Sequence, residues 1–133
     1  MMSSFYLNLT SKSNIYTTNT GSSFIVHLKP EIKLEGKWKC ALVELFLPEQ
    51  TTLKPKYITA NFIQSSVVGE SRHKVLRTVY EKKRHLTFSP EYLDVTDNVL
   101  DSLQFEITDD SGGVLKLTGD THIRLHFQRQ QET

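Results

Sequence analysis

From Trp38 to Leu47 the chain reads Trp-Lys-Cys-Ala-Leu-Val-Glu-Leu-Phe-Leu, and both alternating sets of side chains are mostly apolar. A β-strand sends successive side chains to opposite faces. Unbroken alternation therefore puts Trp38, Cys40, Leu42 and Phe46 on one face and Ala41, Val43, Leu45 and Leu47 on the other. A strand apolar on both sides belongs in the middle of a packed structure. Pro48 ends it, and the segment to Pro55 reads as a loop. Glu44 is the misfit, because alternation sets it beside Trp38, Leu42 and Phe46, and a buried carboxylate has to be paired or protonated. Arg72, Arg77 and Arg124 are its candidate partners.

The rest of the chain supplies the strands that such a central element needs. Phe5, Leu7 and Leu9 alternate with Tyr6, Asn8 and Thr10, the period of two of a half-buried strand. The polar run Ser11 to Ser23 reads as a loop. Phe24 to Leu28 follows as a strand that pauses at Pro30 and resumes through Ile32 and Leu34, and Glu35-Gly36-Lys37 reads as a turn. Tyr57 to Val68 and Lys74 to Tyr80 read as a long hairpin broken at Gly69-Glu70-Ser71, with Lys82-Lys83-Arg84 as its exposed end or an edge. Leu103, Phe105 and Ile107 form another alternating set, and Asp109 to Gly113 reads as a hairpin turn leading into a further strand at Val114 to Leu117. In the last strand Ile123, Leu125 and Phe127 face in while His122, Arg124, His126 and Gln128 face out. The best helical candidate is a single turn around Ser89 to Leu93. About eight short strands punctuated by Gly, Pro and Asx turns predict an all-β fold, a two-sheet antiparallel β-sandwich of jelly-roll type spanning residues 1–133 as one domain.

Sixteen Lys and Arg against fifteen Asp and Glu leave a formal charge of +1, so there is no global field to draw in nucleic acid. Cys40 is the single cysteine, which excludes an intrachain disulfide framework and fits folding inside the cell. No run approaches the roughly 20 apolar residues of a membrane-spanning helix. The opening Met1 to Tyr6 lacks the basic and apolar regions of a signal peptide. Asn8-Leu9-Thr10 matches a glycosylation sequon, which without a secretory route reads as chance.

The residues that could carry chemistry do not converge. His122 and His126 would lie on one strand roughly 13 Å apart, too far to share an ion, and His27, His73 and His85 are scattered. Cys40 sits in the most apolar strand, where a thiolate is poorly solvated. There is no nucleophile elbow, phosphate loop or dinucleotide fingerprint. The basic group Lys82 to His85, with Arg72, Lys74 and Arg77, lacks interleaved aromatics and reads as a solvated hairpin tip rather than a nucleic-acid platform. No catalytic, cofactor-binding or metal residue is assigned, no cofactor is expected, and the chain is read as a non-enzyme.

Three stretches taken in order resemble the capsid-associated proteins of Polinton or Maverick elements and the related adintoviruses. The first is Phe5-Tyr6-Leu7-Asn8-Leu9-Thr10-Ser11, then Asn19, Phe24, Leu28, Ile32, Leu34 and Gly36-Lys37-Trp38-Lys39-Cys40-Ala41-Leu42-Val43-Glu44, closing at Pro48. The second is Tyr57 to Glu70 with Val75-Leu76-Arg77-Thr78-Val79. The third runs from Phe88 and Tyr92 through Leu103 to Gly113 and on to Leu125-His126-Phe127. Glu70, Val75, Gln128 and Thr10 depart from the family pattern. The resemblance implies a minor capsid or penton-like protein, resident in the virion, that forms homo-oligomers and contacts a major capsid protein. The alternative is a β-sandwich recognition module that binds a glycan or a host protein through its loops, which predicts an exposed aromatic cluster on one face or at one loop end.

Overall fold

The structure, a computed structural model, describes residues 3–13, 16–49, 54–68 and 70–130. Residues 14–15, 50–53 and 69, which fall in the expected loops and break, and both chain ends lie outside the described residues.

Eleven strands occur among the described residues. They are β1 (Ser4–Thr10), β2 (Ser23–Lys33), β3 (Trp38–Phe46), β4 (Lys56–Ala60), β5 (Ser66–Val68), β6 (Ser71–His73), β7 (Val75–Val79), β8 (His85–Thr87), β9 (Leu93–Asp94), β10 (Val99–Thr108) and β11 (His122–Arg129). Eight of them build two sheets, in the order β1-β11-β3-β8 and β2-β10-β4-β7. The strand count exceeds the eight expected because β5, β6 and β9 are only two or three residues long, too short to show a period.

The pairing is nested. β1 pairs antiparallel with β11, β2 with β10, β3 with β8 and β4 with β7. The remaining contacts, β11 with β3 and β10 with β4, join these pairs into sheets. A chain folded back on itself and rolled up in this way is an antiparallel sandwich of jelly-roll type.

The alternating sets read from the sequence become the inward faces. Leu103, Phe105 and Ile107 of β10 and Ile123, Leu125 and Phe127 of β11 are all buried. Between the sheets the rings form a continuous path. Phe24 stacks on Phe105 at 5.3 Å, Phe105 meets Phe62 at 5.8 Å, and Phe62 meets Phe127 at 5.8 Å. Phe127 then stacks on Phe5 at 4.9 Å, and Phe5 reaches Trp38 at 5.4 Å. Phe62, fully buried just beyond β4, is where this path crosses from one sheet to the other.

Two asparagines secure loops by imitating backbone. Asn19 Nδ2 donates to the carbonyls of Ser11 (3.1 Å) and Ile25 (2.9 Å), and its Oδ1 accepts from the Ile25 amide (3.0 Å). Asn61 does the same on β10, donating to Ser102 O and accepting from the Gln104 amide. Both sit where the chain leaves regular pairing, so a primary amide supplies the donor and acceptor that a strand would have supplied.

Three expectations need correction. Ser89 to Leu93 forms no helical turn, and the chain is extended into β9. Its neighbours' backbone groups bond to β3 and to residues 62–64, through Val95 N to Trp38 O, Gln64 N to Asp94 O and Thr96 N to Phe62 O. Val114 to Leu117 forms no strand. After the turn only Val114 bridges Thr108 and the Leu115 amide reaches Ile107 O, because β2 takes that edge of β10 from Glu106 back to Val99. The expected long hairpin is β4 paired with β7, interrupted by the small β5–β6 hairpin. Lys82-Lys83-Arg84 is the exposed connection from one sheet to the other rather than a hairpin tip.

Candidate interaction surface

The misfit at Glu44 is resolved by one extra residue. On β11, Leu125 faces Leu42 and the next residue, Arg124, faces Glu44, so Val43 is the surplus residue of a β-bulge in β3. The Val43 carbonyl is taken by the Phe88 amide at 3.0 Å. Beyond the bulge the alternation continues with its phase moved by one. Leu45 and Leu47 join Trp38, Cys40 and Leu42 in the core, while Glu44 and Phe46 turn to the outer face. The expectation that Glu44 and Phe46 share the buried face is therefore wrong. The reason is that both sets of side chains are apolar here, so the hydrophobic pattern contains no mark of the phase change.

None of the expected arginines pairs with Glu44. Its carboxylate meets His85 Nε2 at 3.0 Å, both side chains being about half exposed. Arg124 lies directly across from Glu44 in the register but places its guanidinium over the Tyr6 ring, 4.2 Å from the centroid. Arg77 binds Glu91 at 3.5 Å and the Ser89 carbonyl at 2.9 Å, and packs over Phe88. Arg72 stands on the separate β5–β6 hairpin.

These side chains make the outer face of the β1-β11-β3-β8 sheet a continuous field of aromatic, histidine and arginine groups. Tyr6, 51% exposed, stacks on His126 across the β1–β11 pair at 4.5 Å, and the Tyr92 hydroxyl lies 2.7 Å from His126 Nδ1. Phe46, 39% exposed, is flanked by its two cross-strand neighbours, His85 on β8 and His122 on β11, with Arg84 over its ring at 5.5 Å. Between these two groups lies a shallow depression of about 260 Å³ bordered by Asn8, Thr10, Glu44, Phe46, His122 and Arg124. Partial burial, with the Arg124 charge nearby, holds the His126 imidazole below its ordinary range.

No protein-family model, curated protein or solved structure matches the chain.

The second concave feature is a groove of about 770 Å³ between the β5–β6 hairpin and the outer face of β4 and β10. Arg72 and Lys74 stand on one side of it and Glu106, Asp109 and Asp110 on the other. Asp109 is committed to its own turn, accepting from Ser111 N, Ser111 Oγ and Gly113 N. These bonds hold its carboxyl below the ordinary carboxylate value. Lys74 Nζ is committed to the Asn61 carbonyl at 3.0 Å.

His122 and His126 both stand on the outer face as expected, and each is engaged by different rings, Phe46 and the two tyrosines. Among the described residues no group of three His, Cys, Asp or Glu could hold a metal ion. Cys40 is fully buried, and burial pushes its thiol far up from the ordinary value. Ser102 Oγ and His27 Nδ1 face each other at 3.5 Å on an exposed surface, too long and too wet for a histidine to activate the hydroxyl. No helix among the described residues is long and apolar enough to cross a membrane.

Sequence reasoning missed Tyr6, Phe46 and Tyr92 as surface groups. Tyr6 was legible in part, since it falls in the outward set with Asn8 and Thr10. Its meeting with Arg124 and His126 depends on the β1–β11 register, which no local signal carries.

Proposed function

We propose that the chain is a non-enzymatic structural protein of a virus or virus-derived element, a minor capsid or penton-like component. In this reading it self-associates, it meets a major capsid protein through the outer face of the β1-β11-β3-β8 sheet, and it resides in the virion. The observation that carries the reading is the Tyr6–Arg124–His126 and Phe46–Arg84 field on that face. Aromatic residues and arginine are the types that concentrate binding energy at protein interfaces. Here they are held in place by one another, so little side-chain freedom is left to lose on docking. The rolled sandwich closes its core within one chain and leaves this face and the loop ends for neighbours, and the family resemblance in the three stretches named above supplies the capsid context.

A β-sandwich recognition module for a glycan or a host protein is the second reading, favoured by the exposed aromatic cluster it predicts on one face, here Tyr6 and Phe46. The Tyr6 ring already holds His126 at 4.5 Å and Arg124 at 4.2 Å, so a sugar stacking on it competes with both contacts. The protein-contact reading needs no such displacement. Mixing the purified chain with the major capsid protein of the same element, followed by gradient sedimentation, tests the proposal. Co-migration with the shell protein or its particles is expected. A chain that stays at the top of the gradient while retaining on a glycan array would replace the capsid reading with the second one.

A further inference from the structure

The four sheet edges of the sandwich are not treated alike. β2 is blocked by its own preceding loop, because Thr20 N bonds to Ser23 O and the Asn19 side chain occupies both the amide and the carbonyl of Ile25. Its far half carries Lys29, Pro30, Glu31 and Lys33. β7 is five residues long with Arg77 at its centre. β8 and β9 are three and two residues long and follow the basic run at 82–84. Short strands, charges and proline are the usual guards against edge-to-edge pairing.

β1 has none of these guards. Its seven residues, Ser-Phe-Tyr-Leu-Asn-Leu-Thr, include no charge and no proline, and it pairs with β11 from Ser4 to Thr10 without a register shift. No strand among the described residues pairs with its other side. The phase of the ladder is fixed at both ends, since Arg129 N bonds to Ser3 O and Ser11 N bonds to Thr121 O. Hydrogen-bonded pairs alternate along an antiparallel ladder. The odd-numbered residues of β1 therefore bond to β11, and Ser4, Tyr6, Asn8 and Thr10 aim their amides and carbonyls at the open edge. On the core side Phe5 and Leu7 are only half-buried.

We infer that this edge is the seat of a second copy of the chain, paired β1 to β1 about a two-fold axis at Leu7. This names the contact behind the self-association part of the proposed function. In that register Ser4 lies opposite Thr10 of the partner, Tyr6 opposite Asn8, and Leu7 opposite Leu7. All four open residues then find hydrogen-bonded partners in both copies. Directly opposed residues of an antiparallel pair share a face. Phe5 and Leu9 consequently meet on the core side, tyrosine and asparagine meet on the outer side, and no like charges are opposed. A one-residue slip would set apolar against polar along the whole strand. The arrangement is closed, since each copy uses its single unguarded edge.

Backbone amide exchange, read by NMR from about 10 μM to about 1 mM chain, tests the inference without altering the sequence. The amides of Phe5, Leu7 and Leu9 are expected to be protected at every concentration. Those of Tyr6, Asn8 and Thr10 gain protection only as the sedimenting species becomes a dimer. Asn8→Pro removes an amide that faces the open edge and none that faces β11, and it is expected to leave a monomer. Leu7→Cys, at the axis, is expected to cross-link to its partner on oxidation, because non-hydrogen-bonded positions bring Cα atoms to about 4.5 Å, within disulfide reach. A wild-type chain that is monomeric throughout the range overturns the inference. So does a dimer in which Tyr6 and Asn8 exchange freely and Leu7→Cys does not cross-link. Protection of Tyr6 and Asn8 only on adding the shell protein also overturns it, giving the edge to that partner while leaving the capsid reading intact.

Discussion

Deleting Val43 tests the feature that decides which residues this protein shows to its surroundings. Val43 is the extra residue of the bulge, so its removal leaves Leu42 opposite Leu125 and Glu44 opposite Arg124 on an unbroken ladder, with every side chain from Trp38 to Leu47 on its present face. The losses are small. A half-buried valine contributes about 1 kcal/mol, half the value for full burial. The Phe88 amide loses the Val43 carbonyl, a bond worth about 1 kcal/mol net, and finds the Leu42 carbonyl in its place. The expected destabilisation is about 1–2 kcal/mol. If β3 instead alternated without a bulge, the same deletion would exchange the faces of Glu44 to Leu47. In that unbulged strand Glu44 and Phe46 face the core and Leu45 and Leu47 the outside, so the exchange would bury two leucines at about 2 kcal/mol each and release an unpaired carboxylate costing about 3–5 kcal/mol, against about 2–3 kcal/mol for exposing one phenylalanine. The deletion would then stabilise the fold by several kcal/mol, a large part of the about 5–15 kcal/mol of an ordinary domain. Urea unfolding followed by the fluorescence of Trp38, the single buried tryptophan, separates the two outcomes. A deletion variant as stable as the wild type, or more stable, refutes the bulge and the surface built on it.

Other outcomes follow from the same structure. Phe62→Ala removes the ring that joins the two sheets and is expected to cost about 3–5 kcal/mol in the same unfolding assay. A loss below about 1 kcal/mol would mean that the aromatic path is not a core element. Asn19→Ala gives up three hydrogen bonds, two to Ile25 of β2 and one to the Ser11 carbonyl, and should lower stability by about 1–3 kcal/mol, with new proteolytic nicking in the Ser11 to Ser22 loop. His126 is held below its ordinary value of 6.5 by burial and by Arg124. The unfolded chain therefore binds its proton first, and the stability associated with neutral His126 is whole above pH 6.5 and falls as the pH drops through the lower folded value. His126→Gln is expected to flatten the decline in melting temperature between neutral pH and pH 5. An unchanged slope would move the acid sensitivity to another group.

The sandwich was legible because its inner faces follow strict alternation. Leu103 to Ile107 and Ile123 to Phe127 each bury one side only, and Asp109 to Gly113 announces its turn by composition. Three of the shortest strands were not legible, since β5 and β6 form a hairpin of only three residues a side and β9 owes its existence to a partner distant in sequence. β3 was legible as a strand and misleading as a surface. A run apolar on both faces fixes its place in the middle of the structure and hides a change of phase within it. The candidate surface was half legible, with Arg124 and His126 outward by alternation. Glu44 and Phe46 were assigned inward for want of the bulge, and the Tyr6–Arg124 contact belongs to a register that joins the first strand to the last.

Binding of the major capsid protein by the wild-type chain and by Tyr6→Ser/Arg124→Thr, measured side by side by interferometry, tests the central claim most directly. Both substitutions lie on the outer face, so the fold is expected to melt within a few degrees of wild type. The wild-type chain is expected to bind, and the double variant to lose at least about 30-fold in affinity, equivalent to about 2 kcal/mol at an interface hot spot. Equal binding by the two chains, or none by either, would contradict the assignment of this face to capsid contact.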